Sequence, residues 1–144
     1  MKPLHYLLVT IQFAGIFYFI FTGSVFPENI YVLIIEIIAT LIGVWAVLVM
    51  KLHTVTVLPS VKKGGQLCTS GPYRVIRHPM YTAVLLLLSG LMLNNYTHTG
   101  LLVYFIVLAD LIVKMNVEEK ILIGHYANYK DYMMQTKRIV PFVY

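Results

Sequence analysis

Charge is scarce in this sequence. Of its 144 residues only 12% are Asp, Glu, Lys or Arg, against about 25% in an ordinary soluble domain. Acids are the scarcer half, six against eleven Lys and Arg, for a formal net charge of +5. So little charge excludes a disordered tail and a soluble basic nucleic-acid module. Cysteine occurs once, at Cys68. One cysteine forms no internal disulfide, so a disulfide scaffold is excluded and the redox compartment is not written here. The five histidines, His5, His53, His78, His98 and His125, lack metal-ligand spacing, and no metal site is expected. Internal repeats and low-complexity tracts are also missing.

Apolar residues fill the gap. They make up 59% of the chain, and the mean hydropathy is +0.78. With a positive net charge, this apolar excess points to membrane lipids rather than nucleic acid as the anionic partner. A spanning helix needs about 20 apolar residues. Runs at 4–26, 30–50, 80–97 and 101–117 supply about four such helices. The whole chain, 1–144, thus reads as one all-α integral membrane bundle, with an inner loop over 51–79 and an inner tail over 118–144. Pro27-Glu28-Asn29 marks the first turn, and Asn94 to Gly100 reads as the second. The third run, Met80 to Leu93, is short unless Asn94 to Thr97 complete it. The first run is long, follows a single Lys and has no small-residue cleavage pattern before Pro27, so it reads as a span and not as a signal peptide.

The basic residues sort by side. Lys2, Lys51, Lys62, Lys63, Arg74, Arg77, Lys114, Lys120, Lys130, Lys137 and Arg138 all fall on one side of a four-span layout. The two opposite turns, around Glu28 and Asn95, hold none. The positive-inside rule then places both termini in the cytosol.

A bare anchor does not need the residues gathered on that side. Gly64-Gly65 and Gly71-Pro72 are turn signals. Arg77-His78-Pro79-Met80-Tyr81 stands at the mouth of the third span, with Pro79 suited to a first helical turn. Taken alone, Arg74 and Arg77 read as headgroup contacts, and Lys137 to Phe142 as a basic, lipid-touching tail. Asp110, Lys114 and Glu118 recur every four residues and share one helical face. An isolated stripe of that kind is commonly a solvated, salt-bridged face, but Asp110 lies too deep in a span for water and must face protein or a polar cavity. Glu36 has no basic neighbour in sequence and reads as a helix-contact residue or a protonated acid. Tyr126, Tyr129 and Tyr132, three apart, are expected on one helical face. Gly15, Gly43 and Gly90 are candidate sites of close helix contact.

Two clusters carry a resemblance. Gly71-Pro72-Tyr73-Arg74, Arg77-His78-Pro79-x-Tyr81, Leu86, Gly90 and Leu93, then Glu118-Glu119-x-x-Leu122, Tyr129-x-x-Tyr132 and Val140-Pro141 resemble the isoprenylcysteine carboxyl methyltransferase family and its phospholipid methyltransferase relatives. The likeness covers 67–141. This chain departs at Ala83, where the family usually has Gly, at Tyr126-Ala127, near the usual Phe-Gly, and at Lys114, where it commonly has Arg.

The resemblance implies S-adenosyl-L-methionine as cofactor, with S-adenosyl-L-homocysteine as product, and a lipophilic acceptor arriving from the bilayer. It implies a cytosolic-side cofactor pocket closed by a C-terminal helix. By position, Gln66, Leu67 and Cys68 lie along the cofactor, Tyr73, His78, Pro79, Met80 and Tyr81 line its pocket, and Glu118 holds its amino group. Lys114 and Glu118 are the expected catalytic residues, with Lys114 facing the acceptor. A carboxylate acceptor needs no base, whereas a hydroxyl or amine makes Glu118, Glu119 or His125 candidates.

Two alternatives stand beside this reading: an NADPH-dependent sterol-reductase-like enzyme, which shares a similar Arg-His-Pro-x-Tyr region, and a non-catalytic small membrane subunit. A short chain with four short spans fits a prokaryotic inner-membrane protein. The oligomeric state is not written in the sequence.

Overall fold

The computed structural model describes residues 2–24, 26–50 and 67–144. Most of the inner loop, including Gln66, Gly64-Gly65, His53, Lys51, Lys62 and Lys63, lies outside the described residues. The chain is an all-helical membrane bundle. Its elements run α1 (Lys2–Thr22), α2 (Ile30–Met50), a 3-10 turn (Gly71–Arg74), α3 (Pro79–Asn94), α4 (His98–His125) and α5 (Tyr129–Gln135). Helices α1, α2 and α4 are long and apolar enough to cross a membrane, and α3 is a shorter apolar helix.

The helix ends have local causes. Asn29 accepts the amides of Tyr31 (through its side chain, 2.9 Å) and Leu33 (through its carbonyl, 3.0 Å), starting α2. Thr97 Oγ1 accepts the Gly100 amide at 2.9 Å, a standard N-cap. That cap corrects the second turn, because α4 begins at His98 and His98-Thr99-Gly100 form its first turn. Helix α1 ends at Thr22, short of the expected Phe26. Helix α4 runs on to His125, so Tyr126 is its cap while Tyr129 and Tyr132 belong to α5. The three tyrosines therefore do not share one helical face.

The outside of this bundle is greasy and its inside holds the polar groups. Phe13, Phe17, Phe21, Ile34, Leu41, Trp45, Leu48 and Phe105 are exposed, whereas Gln12, Glu36, His78, Asp110, Lys114 and Glu119 are buried. That inversion is what lipid as solvent requires. Helix α2 lies on α3, α1 lies on α4, and α3 joins the two pairs. The core between them comprises Phe19, Tyr81, Leu85, Leu88, Leu91, Val107, Leu111 and Met115.

Small residues let the helices approach. A Cβ on Gly15 would stand 2.2 Å from Val107 Cγ2, and one on Gly90 would stand 2.7 Å from Glu36 Cγ. Gly43 faces the Cβ of Ala83 at 3.3 Å from the same kind of position. All three glycines thus mark helix contacts within this chain, and Glu36 is the side chain that α3 receives at Gly90.

Helix lengths fix how deep each functional residue sits. At 1.5 Å per residue, the 28 residues of α4 span about 42 Å, about 12 Å more than a hydrocarbon core of about 30 Å. Its last two turns, from Glu118 onward, are the excess. The 16 residues of α3 span about 24 Å, so its first residue, Pro79, sits near the same boundary.

Candidate functional site

The site is assembled where the start of α3 meets the end of α4. Pro79 opens α3 as a fully buried N1 residue and His78 is its N-cap. The turn before it forms because Gly71 adopts φ +58°, a conformation glycine adopts without strain. A Cβ there would also strike Val49 Cγ2 at 2.8 Å, so this glycine lets the turn lie against the end of α2. Cys68 lies there too, its Sγ 4.0 Å from the Val49 carbonyl. Tyr73 is buried, with its hydroxyl 3.8 Å from Met50 Sδ. Leu67 and Met80 are half-buried and Arg74 is exposed.

His78 stands between two carboxylates. Its Nδ1 is 3.5 Å from Glu118 Oε2 and its Nε2 is 3.4 Å from Glu119 Oε1. The rings of His78 and Tyr81 stack with an interplanar angle of 8° and centroids 5.4 Å apart. The Tyr81 hydroxyl donates to Glu118 Oε1. Over the other part of this group, Lys114 Nζ lies 5.3 Å from the Tyr81 ring centroid and donates to Gln12 Oε1 at 2.6 Å. So the loop bearing His78 and the helix bearing Glu118 converge, and Tyr73, His78, Tyr81, Lys114 and Glu118 share one neighbourhood.

The stripe at 110, 114 and 118 faces inward, which overturns the solvated reading of an isolated stripe. Lys114 is 2% exposed and Asp110 6%. Neither Lys114–Asp110 nor Lys114–Glu118 is an ion pair among the described residues. The partner of Lys114 is instead the amide of Gln12, from the first helix. Neither oxygen of Asp110 has a hydrogen-bond partner among the described residues.

The two glutamates differ in what they have left to offer. Glu119 is 3% exposed. Its Oε1 accepts from Arg77 Nε at 2.9 Å, and its Oε2 accepts from Arg138 Nη2 at 2.7 Å. Glu118 is the more open of the pair and is bound by no guanidinium among the described residues. Arg77 also donates from Nη1 to the Met133 carbonyl at 3.1 Å and to the Thr136 carbonyl. Arg77 is thus an interior clamp and not a headgroup contact, and Arg138 is not simply part of a lipid-touching tail. Sequence patterns placed Arg77 and Glu119 in the two motifs but did not pair them, and gave Arg138 and Gln12 no place at the site. Gln12 had one signal, since it is the single amide in an otherwise apolar run.

The tail returns to the site. Ile76 and Lys137 form a parallel bridge. The Arg77 amide donates to the Lys137 carbonyl at 2.7 Å, and the His78 amide to the Arg138 carbonyl at 3.0 Å. Thr82 Oγ1 donates to the Ile139 carbonyl at 2.8 Å. The hydroxyl of Tyr132, on α5, donates to the Tyr73 carbonyl at 2.7 Å. Burial pushes the phenols of Tyr73, Tyr129 and Tyr132 above their ordinary value, so each stays a neutral donor at physiological pH. His125 is exposed at the last turn of α4, edge-on to Tyr126, about 10 Å along the axis from Glu118.

Donors, acceptors and apolar walls thus meet at one membrane boundary, in the part of the chain where comparison with known proteins finds its match. No curated protein and no solved structure matches the chain. The family model for phospholipid methyltransferases matches residues 29–129, from the start of α2 through the Glu118-Glu119 pair to the first residue of α5. The chain therefore belongs to the phospholipid methyltransferase family, whose members are integral membrane methyltransferases.

Proposed function

We propose that this protein transfers a methyl group from S-adenosyl-L-methionine to a lipophilic acceptor at the cytosolic membrane boundary. The observation that carries the reading is the meeting of His78 and Tyr81 with Glu118. The residues fit the donor. Its ammonium calls for a carboxylate with capacity to spare, and Glu118 has that where Glu119 does not. Its sulfonium is matched by tyrosine faces, which attract cations. Bound there, S-adenosyl-L-methionine supplies an electrophilic methyl for in-line displacement.

The chain's own part is alignment. Glu118 would hold the ammonium, with its carboxylate oriented by the Tyr81 hydroxyl and the His78 ring. Tyr73, His78 and Tyr81 would wall the donor, with Leu67, Cys68 and Met80 beside them and Pro79 as the buried footing of the loop. Lys114, one turn deeper, would orient the acceptor's polar head while Gln12 holds its ammonium in place. A carboxylate acceptor arrives ionised and needs no base. For a hydroxyl or amine a base is wanted, and of the three candidates Glu119 is occupied by two guanidinium groups and His125 is remote. The tail over 126–144 would close the site from the water side. The clustering of Arg74, Arg77, Lys120, Lys130, Lys137 and Arg138 at this end supports its assignment to the cytosol. Depth supports the pairing of substrates: a soluble donor reaches Glu118 from water while a greasy acceptor enters from the adjoining lipid.

The test is binding and turnover in lipid nanodiscs. Wild type should bind S-adenosyl-L-homocysteine and move labelled methyl into an added lipid extract. Glu118→Gln keeps the shape and removes the charge, so donor affinity should fall about 10- to 100-fold. Wild type binding NADPH and not S-adenosyl-L-homocysteine would reassign the chain as a reductase. Binding of neither, or an unchanged affinity in the variant, would refute the site.

A further inference from the structure

We propose that Glu119 is a positioning residue that takes no ligand: it locks the C-terminal tail to His78, so that seating of the tail sets the geometry of the Glu118 carboxylate. The inference rests on the donor site proposed above.

The first step is saturation. Two guanidinium groups, from segments on opposite sides of the sequence, occupy the two oxygens of Glu119 at 2.9 and 2.7 Å. The second is the route from Glu119 to Glu118. The imidazole of His78 lies between the two carboxylates, 3.4 Å from one and 3.5 Å from the other. It is also stacked on Tyr81, which donates to Glu118. Turning His78 therefore disturbs both groups that orient Glu118. The third is the dependence of His78 on the tail. Its backbone amide bonds the carbonyl of Arg138, the residue whose side chain holds Glu119. Arg77 closes the ring. Its Nε holds Glu119, while Nη1 holds the carbonyls of Met133 and Thr136 at the end of α5, groups a helix leaves without partners. A tail lifted away from the loop takes with it one donor to Glu119, two acceptors of the Arg77 guanidinium, and the acceptors of the Arg77 and His78 amides. A passive basic tail makes no such set of bonds.

The test uses the full chain in nanodiscs, with helical content checked by circular dichroism. The variants are Arg138→Ala, Arg138→Lys and Thr82→Val, the last cutting the bond to the Ile139 carbonyl while leaving every charge in place. In Arg138→Ala, cleavage of the tail by proteinase K should speed up, and S-adenosyl-L-homocysteine should slow it. KM for the methyl donor should rise about five- to tenfold with kcat within about twofold. Arg138→Lys should recover part of the loss, and Thr82→Val should shift cleavage and KM in the same direction. Unchanged KM in Arg138→Ala, a fall in kcat alone, or cleavage that ignores S-adenosyl-L-homocysteine would overturn the coupling. Wild type failing to bind the donor analogue would instead refute the proposed function, and the tie between Glu119 and the tail is then decided by the cleavage rates alone.

Discussion

Replacing Gly15 with alanine tests the packing that holds the first helix on the fourth. The added Cβ would lie 2.2 Å from Val107 Cγ2, whereas carbon atoms in contact prefer about 3.5–4.0 Å. The shortfall is roughly 1.3–1.8 Å. Val107 has no exposed surface, and its branched side chain is confined to one rotamer in a helix. Helix α1 must therefore back away from α4. Overpacking of this kind costs about 1–3 kcal/mol. The same movement pulls Gln12, one turn along, from Lys114, 2.6 Å away, and a buried donor without its acceptor adds about 1–3 kcal/mol. The expected destabilisation is thus about 2–6 kcal/mol, read as a lower melting temperature from Trp45 fluorescence in detergent micelles. Val107→Ala costs something alone, yet it makes the room that the new methyl group needs. The double variant should accordingly be more stable than the sum of the singles, by at least about 1 kcal/mol. Gly15→Ala melting with wild type, or no rescue by Val107→Ala, would refute the reasoning.

Asp110→Asn should melt at or above the wild-type temperature, because a buried carboxylate whose two oxygens find no hydrogen-bond partner among the described residues costs more to keep than a neutral amide of the same shape; a large loss would mean that the acid has a partner. Alkaline pH should loosen the tail. Tyr73, Tyr129 and Tyr132 are raised by burial, so above pH about 10 the unfolded state loses phenolic protons that the folded state keeps. Stability is then full below that pH and falls beyond it, by up to about 1.4 kcal/mol per unit for each tyrosine. Tyr132→Phe should make the fall shallower in melts between pH 8 and 11, and an identical slope would count against this assignment.

The bundle was legible because it rests on local patterns, whereas the meeting of His78 with Glu118 was expected only through the family resemblance of the two motifs. Uninterrupted apolar runs mark the helices, Pro79 marks the start of α3, and consecutive glutamates at the end of a span mark the boundary. Boundaries set by a single side chain were harder: Thr97 begins α4 three residues before the expected run, and Tyr126 leaves the helix that its spacing invited. The clamp was not legible. Arg77 and Glu119 are 42 positions apart, and nothing in composition says which of several cations a carboxylate will choose. Gln12 and Lys114 are 102 apart, and only the antiparallel pairing of the outermost membrane helices brings them together.

That pairing also bears on how the protein is made. A lysine at the bilayer centre opposes insertion by roughly 2.5–3.5 kcal/mol, and Lys114, one turn inside the boundary, meets part of that cost. The segment carrying Lys114 emerges last of the long helices, and the amide awaiting it is on the first. Helix α1 thus waits in the bilayer as a docking strip for α4. Fragments begun after α1 should leave that lysine without its amide partner, which would make them targets for membrane quality control.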